Sequence, residues 1–281
     1  MTEASSRDRL EEPALGARVD STFGTPFDLN LIGLRTLYLK EVRRFLKVPG
    51  QTLAAPIITT LMFLAIFSLA LGRSGRVIGE VPFLEFLAPG LIMMAIIQNA
   101  FANTSSSILI GKIQGNIVDL LMPPLRPGEL LSGLVAGGVT RGLLVALVVG
   151  LAMVPVVELR LAHPLLILFY ALGGSLMLAL LGLLGGIWAE KFDQMAAVTN
   201  FVITPLSFLS GTFYSIQQLP GPFQALAHAN PFFYLIDGIR YGFTGQADGS
   251  IALGAVVIVL VNVGLWLLAH RLLVIGYRLK A

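Results

Sequence analysis

Six stretches of this sequence are long and apolar enough to cross a lipid bilayer, and that constrains its fold more than any motif. A hydrocarbon core about 30 Å thick asks for about 20 apolar helical residues. Residues 52–71, 86–107, 134–157, 165–188, 195–216 and 251–270 each meet that length, and Arg141 is the one Asp, Glu, Lys or Arg inside them. Hydrophobic residues make up 56% of the chain and charged ones only 12%. A soluble domain carries about a quarter charged residues, so part of the solvent here must be lipid. The expected fold is an all-α polytopic membrane protein with six transmembrane helices. The first span is no signal peptide, because about fifty polar or amphipathic residues precede it and no small-residue cleavage site follows.

Six spans put both termini on one side. Of the 19 lysines and arginines, 14 fall on the side of the termini and 4 on the other, with Arg141 inside a span. The positive-inside rule then makes both termini cytoplasmic. Residues 1–27 are polar and without period, and are expected to form a disordered tail. The membrane domain is expected over 28–281.

Asp28 is placed to N-cap a helix over 28–47, which Pro49-Gly50 would stop. Leu31, Leu34, Tyr38, Val42 and Phe45 share one face, and Lys40, Arg43, Arg44 and Lys47 lie opposite. Arg35 and Glu41 complete its charged set. A basic amphipathic helix beside a span lies in the interface, with cations toward anionic lipid or water. It would serve as an anchor or as a lever that also touches a cytoplasmic partner. Between spans two and three, residues 114–122 would form a short helix ended by Pro123-Pro124. Ile117, Leu120 and Leu121 are apolar knobs on a loop that should face water. They suggest docking to a partner or a loop that hugs the membrane.

Polar residues within spans point to function. Thr59 and Thr60 lie in span one, Gln98, Asn99 and Asn103 in span two, and Thr199, Asn200, Thr204 and Ser207 in span five. No Asp, Glu or Lys lies mid-span. An uncharged polar lining suits an amphiphilic or apolar passenger better than an ion, unless these groups only join helices. Arg141 would either snorkel to the cytoplasmic surface or pair with Glu190 or Asp193. Gly133 with Gly137, Gly138 with Gly142, and Gly182 with Gly186 allow close helix approach, which reads as packing within the chain before a dimer seam. Pro56, Pro89 and Pro205 are expected to kink their spans. Residues 217–243 are outside yet rich in Phe, Tyr, Leu and Pro, and form short helical pieces. Asp237 and Arg240, one turn apart, are expected to pair and clamp the outer end.

Several chemistries are excluded. No phosphate-binding loop exists, since Gly111-Lys112 is followed by Ile113 and no glycine-rich turn precedes it. There is no cysteine, no H-E-x-x-H and no nucleophile elbow. The three histidines lie far apart. The basic residues form no face for nucleic acid. The chain is expected to hold no cofactor or metal of its own.

The order of these parts resembles the type 2 ABC exporter permeases, the ABC-2 family, over about residues 29–275. Phe86-Leu87-Ala88-Pro89-Gly90-Leu91-Ile92, Asp119-Leu120-Leu121-Met122-Pro123-Pro124-Leu125 and Gly211-Thr212-Phe213-Tyr214 carry the likeness. So does Asn230-Pro231 with Tyr234, Asp237 and Arg240. Within the family the chain is most similar to the short bacterial YadH-like branch. The resemblance implies two six-span subunits above two separate ATPase chains, which hold the ATP and Mg, in the bacterial inner membrane. It implies a coupling segment at Gly115, Asn116, Ile117, Asp119, Leu120, Leu121, Pro123 and Pro124. The 28–47 helix would connect to the same ATPase. Gly211, Phe213, Tyr214, Asn230, Pro231, Tyr234, Asp237 and Arg240 would form the outer gate. The passenger would be a hydrophobic drug, a lipid or a glycan-like amphiphile. An ion-coupled carrier would instead show internal repeats and buried acids, and a membrane enzyme would show convergent acids or histidines at membrane depth.

Overall fold

The computed structural model describes residues 30–71, 77–78 and 81–278. The expected tail, 1–27, and the expected cap at Asp28 lie outside them. Helix α1 (Leu31–Leu46) leads through a π-helical turn (Gly50–Ala54) into α2 (Ala55–Leu71). A small antiparallel ladder, β1 (Val77–Ile78) with β2 (Val81–Pro82), precedes α3 (Phe83–Ile113). Then come α4 (Ile117–Leu121), α5 (Pro127–Met153) and α6 (Pro164–Trp188). Helix α7 (Phe192–Val198) passes through a second π turn (Thr199–Ile203) into α8 (Thr204–Leu209). The outer hairpin is α9 (Gly221–Ala229) and α10 (Pro231–Thr244), and α11 (Ile251–Ile275) closes the fold.

Among the described residues, five helices are long and apolar enough to cross a membrane: Gly50–Ala70, Phe83–Ile113, Pro127–Met153, Pro164–Trp188 and Ile251–Ile275. The expected span over 195–216 is corrected. Helix ends at Leu209, and Gly211 turns the chain at φ +79°. The rod from α7 to α8 still links the two ends of the bundle. Its start lies beside the end of α6, where Gln194 accepts from the Glu190 N–H. Its exit lies beside α10, where Arg240 donates to the Gly211 carbonyl.

Helix α3 is the centre. Its most apolar stretch is 83% buried, against 11% for the first span and 17% for α11. Glycines let its neighbours approach. A Cβ on Gly138 would fall 2.9 Å from both the Thr104 methyl and the Ala179 Cβ, and one on Gly186 would fall 2.9 Å from the Ser105 carbonyl. Gly182 lies so close to α3 that its face meets the Phe101 carbonyl, and Thr104 Oγ1 donates to the Ala179 carbonyl at 2.7 Å. These glycine pairs serve packing within the chain, as their spacing suggested.

Pro56 and Pro205 sit within continuous helical rods. Each follows a π turn, where N–H groups reach back five residues, as Ala55 does to Gly50 and Thr204 does to Thr199. The wider turn absorbs the donor that proline lacks.

Overpacking a close-packed seam strains it. Gly182→Val should lower stability by about 3 kcal/mol or abolish folding, whereas Gly264→Ala, which faces open space, should be neutral. Thermal unfolding of both variants in detergent would check this.

Candidate functional site

Three linked groups of residues run from one end of the bundle to the other. At the base, Asn30 caps α1 by accepting from the Gly33 N–H at 2.8 Å. Its own N–H donates to Glu129 Oε1 at 2.7 Å, and its side chain donates to the Pro124 carbonyl at 3.3 Å. The other Glu129 oxygen accepts from the Arg126 N–H at 2.8 Å. One buried carboxylate thus joins the start of α1, the α4 loop and the start of α5. Backbone N–H bonds to a carboxylate are charge-assisted and stronger than neutral ones. Lys112 Nζ donates to the Ile187 and Ala189 carbonyls at 2.8 and 2.6 Å, where α6 ends with its carbonyls unsatisfied.

The α4 loop corrects the expected docking face. Ile117 and Leu120 point inward, 1% and 8% exposed, into an apolar cluster with Leu37, Leu130 and Leu131. A five-residue helix lying on a bundle buries one side by necessity. The outward side is Val118, Leu121 and Met122, with Gly115, Asn116, Asp119, Pro123 and Pro124 also exposed. Gly115 has φ +72°, the left-handed turn that ends α3.

The α1 helix has a packed face as well as its basic one. It docks on α5. Its Leu37 packs over Gly133 and its Glu41 over Gly137, two pairs four residues apart on both helices. Leu37, Glu41 and Phe45 form its buried face. Glu41 is fully buried, with one oxygen accepting from Ser107 at 2.8 Å and the other from Arg44 at 2.8 Å. Arg44 turns inward as well, to the Asn103 carbonyl at 2.6 Å and Ser106 at 2.9 Å. Arg35, Lys40, Arg43 and Lys47 stay exposed.

Above Glu41, one turn further along α5, Arg141 donates to Asn99 Oδ1 at 3.0 Å. Neither expected acid partner, Glu190 or Asp193, is used. Arg141 has no carboxylate within 4.0 Å among the described residues. Its Nε and the Asn103 Nδ2 are buried without an acceptor. Asn99 forms part of a cavity of about 390 Å³ between α2, α3 and the second π turn. Thr59, Thr60, Gln98, Asn99, Thr199, Asn200 and Thr204 all line it, beside Phe63, Leu91 and Met94. Asn103 and Ser207 are buried away from it.

At the top, the expected Asp237–Arg240 ion pair is absent among the described residues. Asp237 instead accepts the Asp248 and Gly249 N–H groups at 2.8 and 2.9 Å. Burial pushes its carboxyl up from the usual range, and these bonds and the Arg240 charge oppose that. Arg240 is buried against the Phe86 ring, 3.8 Å from its centre, and ties the Phe86 and Gly211 carbonyls at 3.3 and 2.6 Å. A Cβ on Gly90 would lie 2.7 Å from the Thr212 carbonyl. Asn230 donates to the Leu206 carbonyl and to Ser210, and its Oδ1 caps α10 above Pro231. Tyr234 donates to the His228 carbonyl, and Tyr214 to the Leu209 carbonyl. Phe213 stacks on Phe67 at 4.6 Å. The signature residues therefore meet, bound to backbone more than to one another. Asp248, which accepts from Ser215 and the Ile216 N–H, had no sequence signal beyond its turn.

Comparison with known proteins gives a consistent set of matches. The model of the ABC-2 type transporter family matches residues 33–244. The chain is 36% identical over 251 residues to the inner membrane transport permease YadH of Escherichia coli strain K12, spanning 89% of this chain and 98% of that one. It is 31% identical over 185 residues to nodulation protein J of Rhizobium leguminosarum bv. viciae, spanning 64% and 69% respectively. For nodulation protein J of Sinorhizobium fredii the figures are 29% over 200 residues, 67% and 73%.

Removing one partner of a buried ion pair strands the other. Arg44→Ala should therefore destabilise by about 2–3 kcal/mol, since it strands the fully buried Glu41, and Glu41→Ala by less, because the Arg44 left behind reaches water. The double variant should cost about 1–2 kcal/mol less than the sum of the two. Denaturation of the four proteins in detergent would measure the coupling.

Proposed function

Because this chain belongs to the ABC-2 type transporter family, and is thus a membrane transport permease, we propose that it is the membrane-spanning subunit of an ATP-driven exporter. A separate ATPase chain binds ATP and Mg and powers it. The complex sits in the bacterial inner membrane with both termini cytoplasmic. The passenger is amphiphilic or hydrophobic, as a drug, a lipid or a glycan-like molecule is.

The observation that carries this reading is the base. Val118, Leu121 and Met122 are exposed on a short helix that cannot move alone. Glu129 and the cluster around Leu37, Ile117 and Leu120 fasten it to α1 and α5. A push on that face would travel into α1, through Glu41 into α3, and to the cavity wall. That is what a motor acting from below requires. In this reading α4 is the coupling helix and α1 the connecting helix. The hydrogen-bonded top, from Asn230 to Arg240, is the outer gate. Two copies pair across the cavity, which opens beside exposed apolar side chains of α2, the second π turn and α8 such as Ile58, Met62, Phe201 and Phe208.

One observation favours a second reading. Glu41 supplies the buried acid that an ion-coupled carrier needs. Its neutral pairing with Arg44 weakens that reading, since a paired carboxylate has no free charge to carry an ion.

The two readings part in one experiment. The chain would be purified from membranes with its ATPase and reconstituted in lipid, and ATP turnover measured. Val118→Glu with Leu121→Glu should release the ATPase and lower turnover about ten-fold or more, since charges on an apolar interface oppose docking, while thermal stability stays near wild type. Leu120→Glu should unfold the base. No associated ATPase, with transport driven by an ion gradient and lost in Glu41→Gln, would replace the exporter with the carrier.

A further inference from the structure

The polar stack beneath the cavity is unbalanced in charge and in donors. Glu41 and Arg44 cancel, at 2.8 Å. Arg141 is left over, held by a neutral amide alone. Two buried donors, Arg141 Nε and Asn103 Nδ2, have no acceptor. A cation in a poorly polarisable setting exerts a field that water would otherwise screen. That field emerges where Asn99 meets the cavity, one hydrogen bond from the guanidinium. Gln98, Thr59 and Asn200 add neutral polar groups there, and no acid among the described residues lines the wall. The remainder of the wall is apolar, through Phe63, Leu91 and Met94.

From this arrangement we propose that the cavity receives an amphiphile with an anionic head, a phosphate or carboxylate. The head lies at the Asn99 end, drawn by Arg141, and the tail lies along α2 and Leu91. The proposal names the substrate class within the exporter reading and rests on it for the word substrate, though binding itself does not depend on the ATPase. A neutral or cationic amphiphile would leave the Arg141 charge unanswered.

The test uses the full chain in nanodiscs of neutral phosphatidylcholine. Binding of dodecyl phosphate, dodecyltrimethylammonium, dodecyl maltoside and inorganic phosphate would be compared by thermophoresis. Dodecyl phosphate should bind saturably and about ten-fold tighter than the other three. Arg141→Gln should remove most of that preference, and Arg141→Lys should keep most of it. Asn99→Asp offers a carboxylate to Arg141 without changing shape, and should abolish the preference. A preference that survives both Arg141→Gln and Asn99→Asp would assign the anion to the exposed cations of α1 and overturn the proposal. So would equal binding of all three detergents, or of inorganic phosphate alone. Copurification of the ATPase would be scored on the same samples. If the ATPase is absent while the Arg141-dependent preference holds, the exporter reading fails and the site stands. If the ATPase binds and the preference is missing, the reverse is true.

Discussion

Everything in this molecule depends on how closely other helices can approach α3. The helix is 31 residues long and buried on nearly all sides, yet it carries Asn99, Asn103, Thr104 and Ser105. In lipid no water satisfies such groups, so neighbouring backbone must. Glycines on α5 and α6 bring that backbone within reach. Thr104 bonds the Ala179 carbonyl because Gly138 and Gly182 leave nothing in between. Without hydrophobic drive between helices in a bilayer, this packing and bonding hold the bundle.

The same logic explains why the two ends differ. The top is stitched by side chains that bond to carbonyl and amide groups, so α10 locks onto α3 and the exit of α8. The base is joined largely through buried carboxylates. Glu129 bridges three segments and Glu41 bridges two helices.

Much of this was legible in the sequence. Long apolar stretches located five of the helices, with ends up to seven residues off, because a bilayer sets their length. The polar residues of spans one, two and five do converge, since seven of them line one cavity. Two kinds of feature were not legible. The inward turn of Glu41, Arg44, Ile117 and Leu120 depends on which side of a short helix meets the bundle, and one amphipathic helix has the same pattern whether it faces lipid or protein. The spacing of Leu37 and Glu41 did match that of Gly133 and Gly137, a signal visible only when two helices are read together. The helix end at Leu209 was misplaced because a glycine exit leaves no mark in hydropathy.

The π turns carry an evolutionary consequence. A π turn is an α-helix with one residue to spare, and each residue rotates the downstream helix by about 100°. Deleting one position from Gly50–Ala54 would restore a regular helix but bring the Pro56 ring against a carbonyl four residues back. The extra residue and its proline are therefore a matched set in this chain. In related sequences they should be gained or lost together, so that the alignment gap and the proline travel as one character.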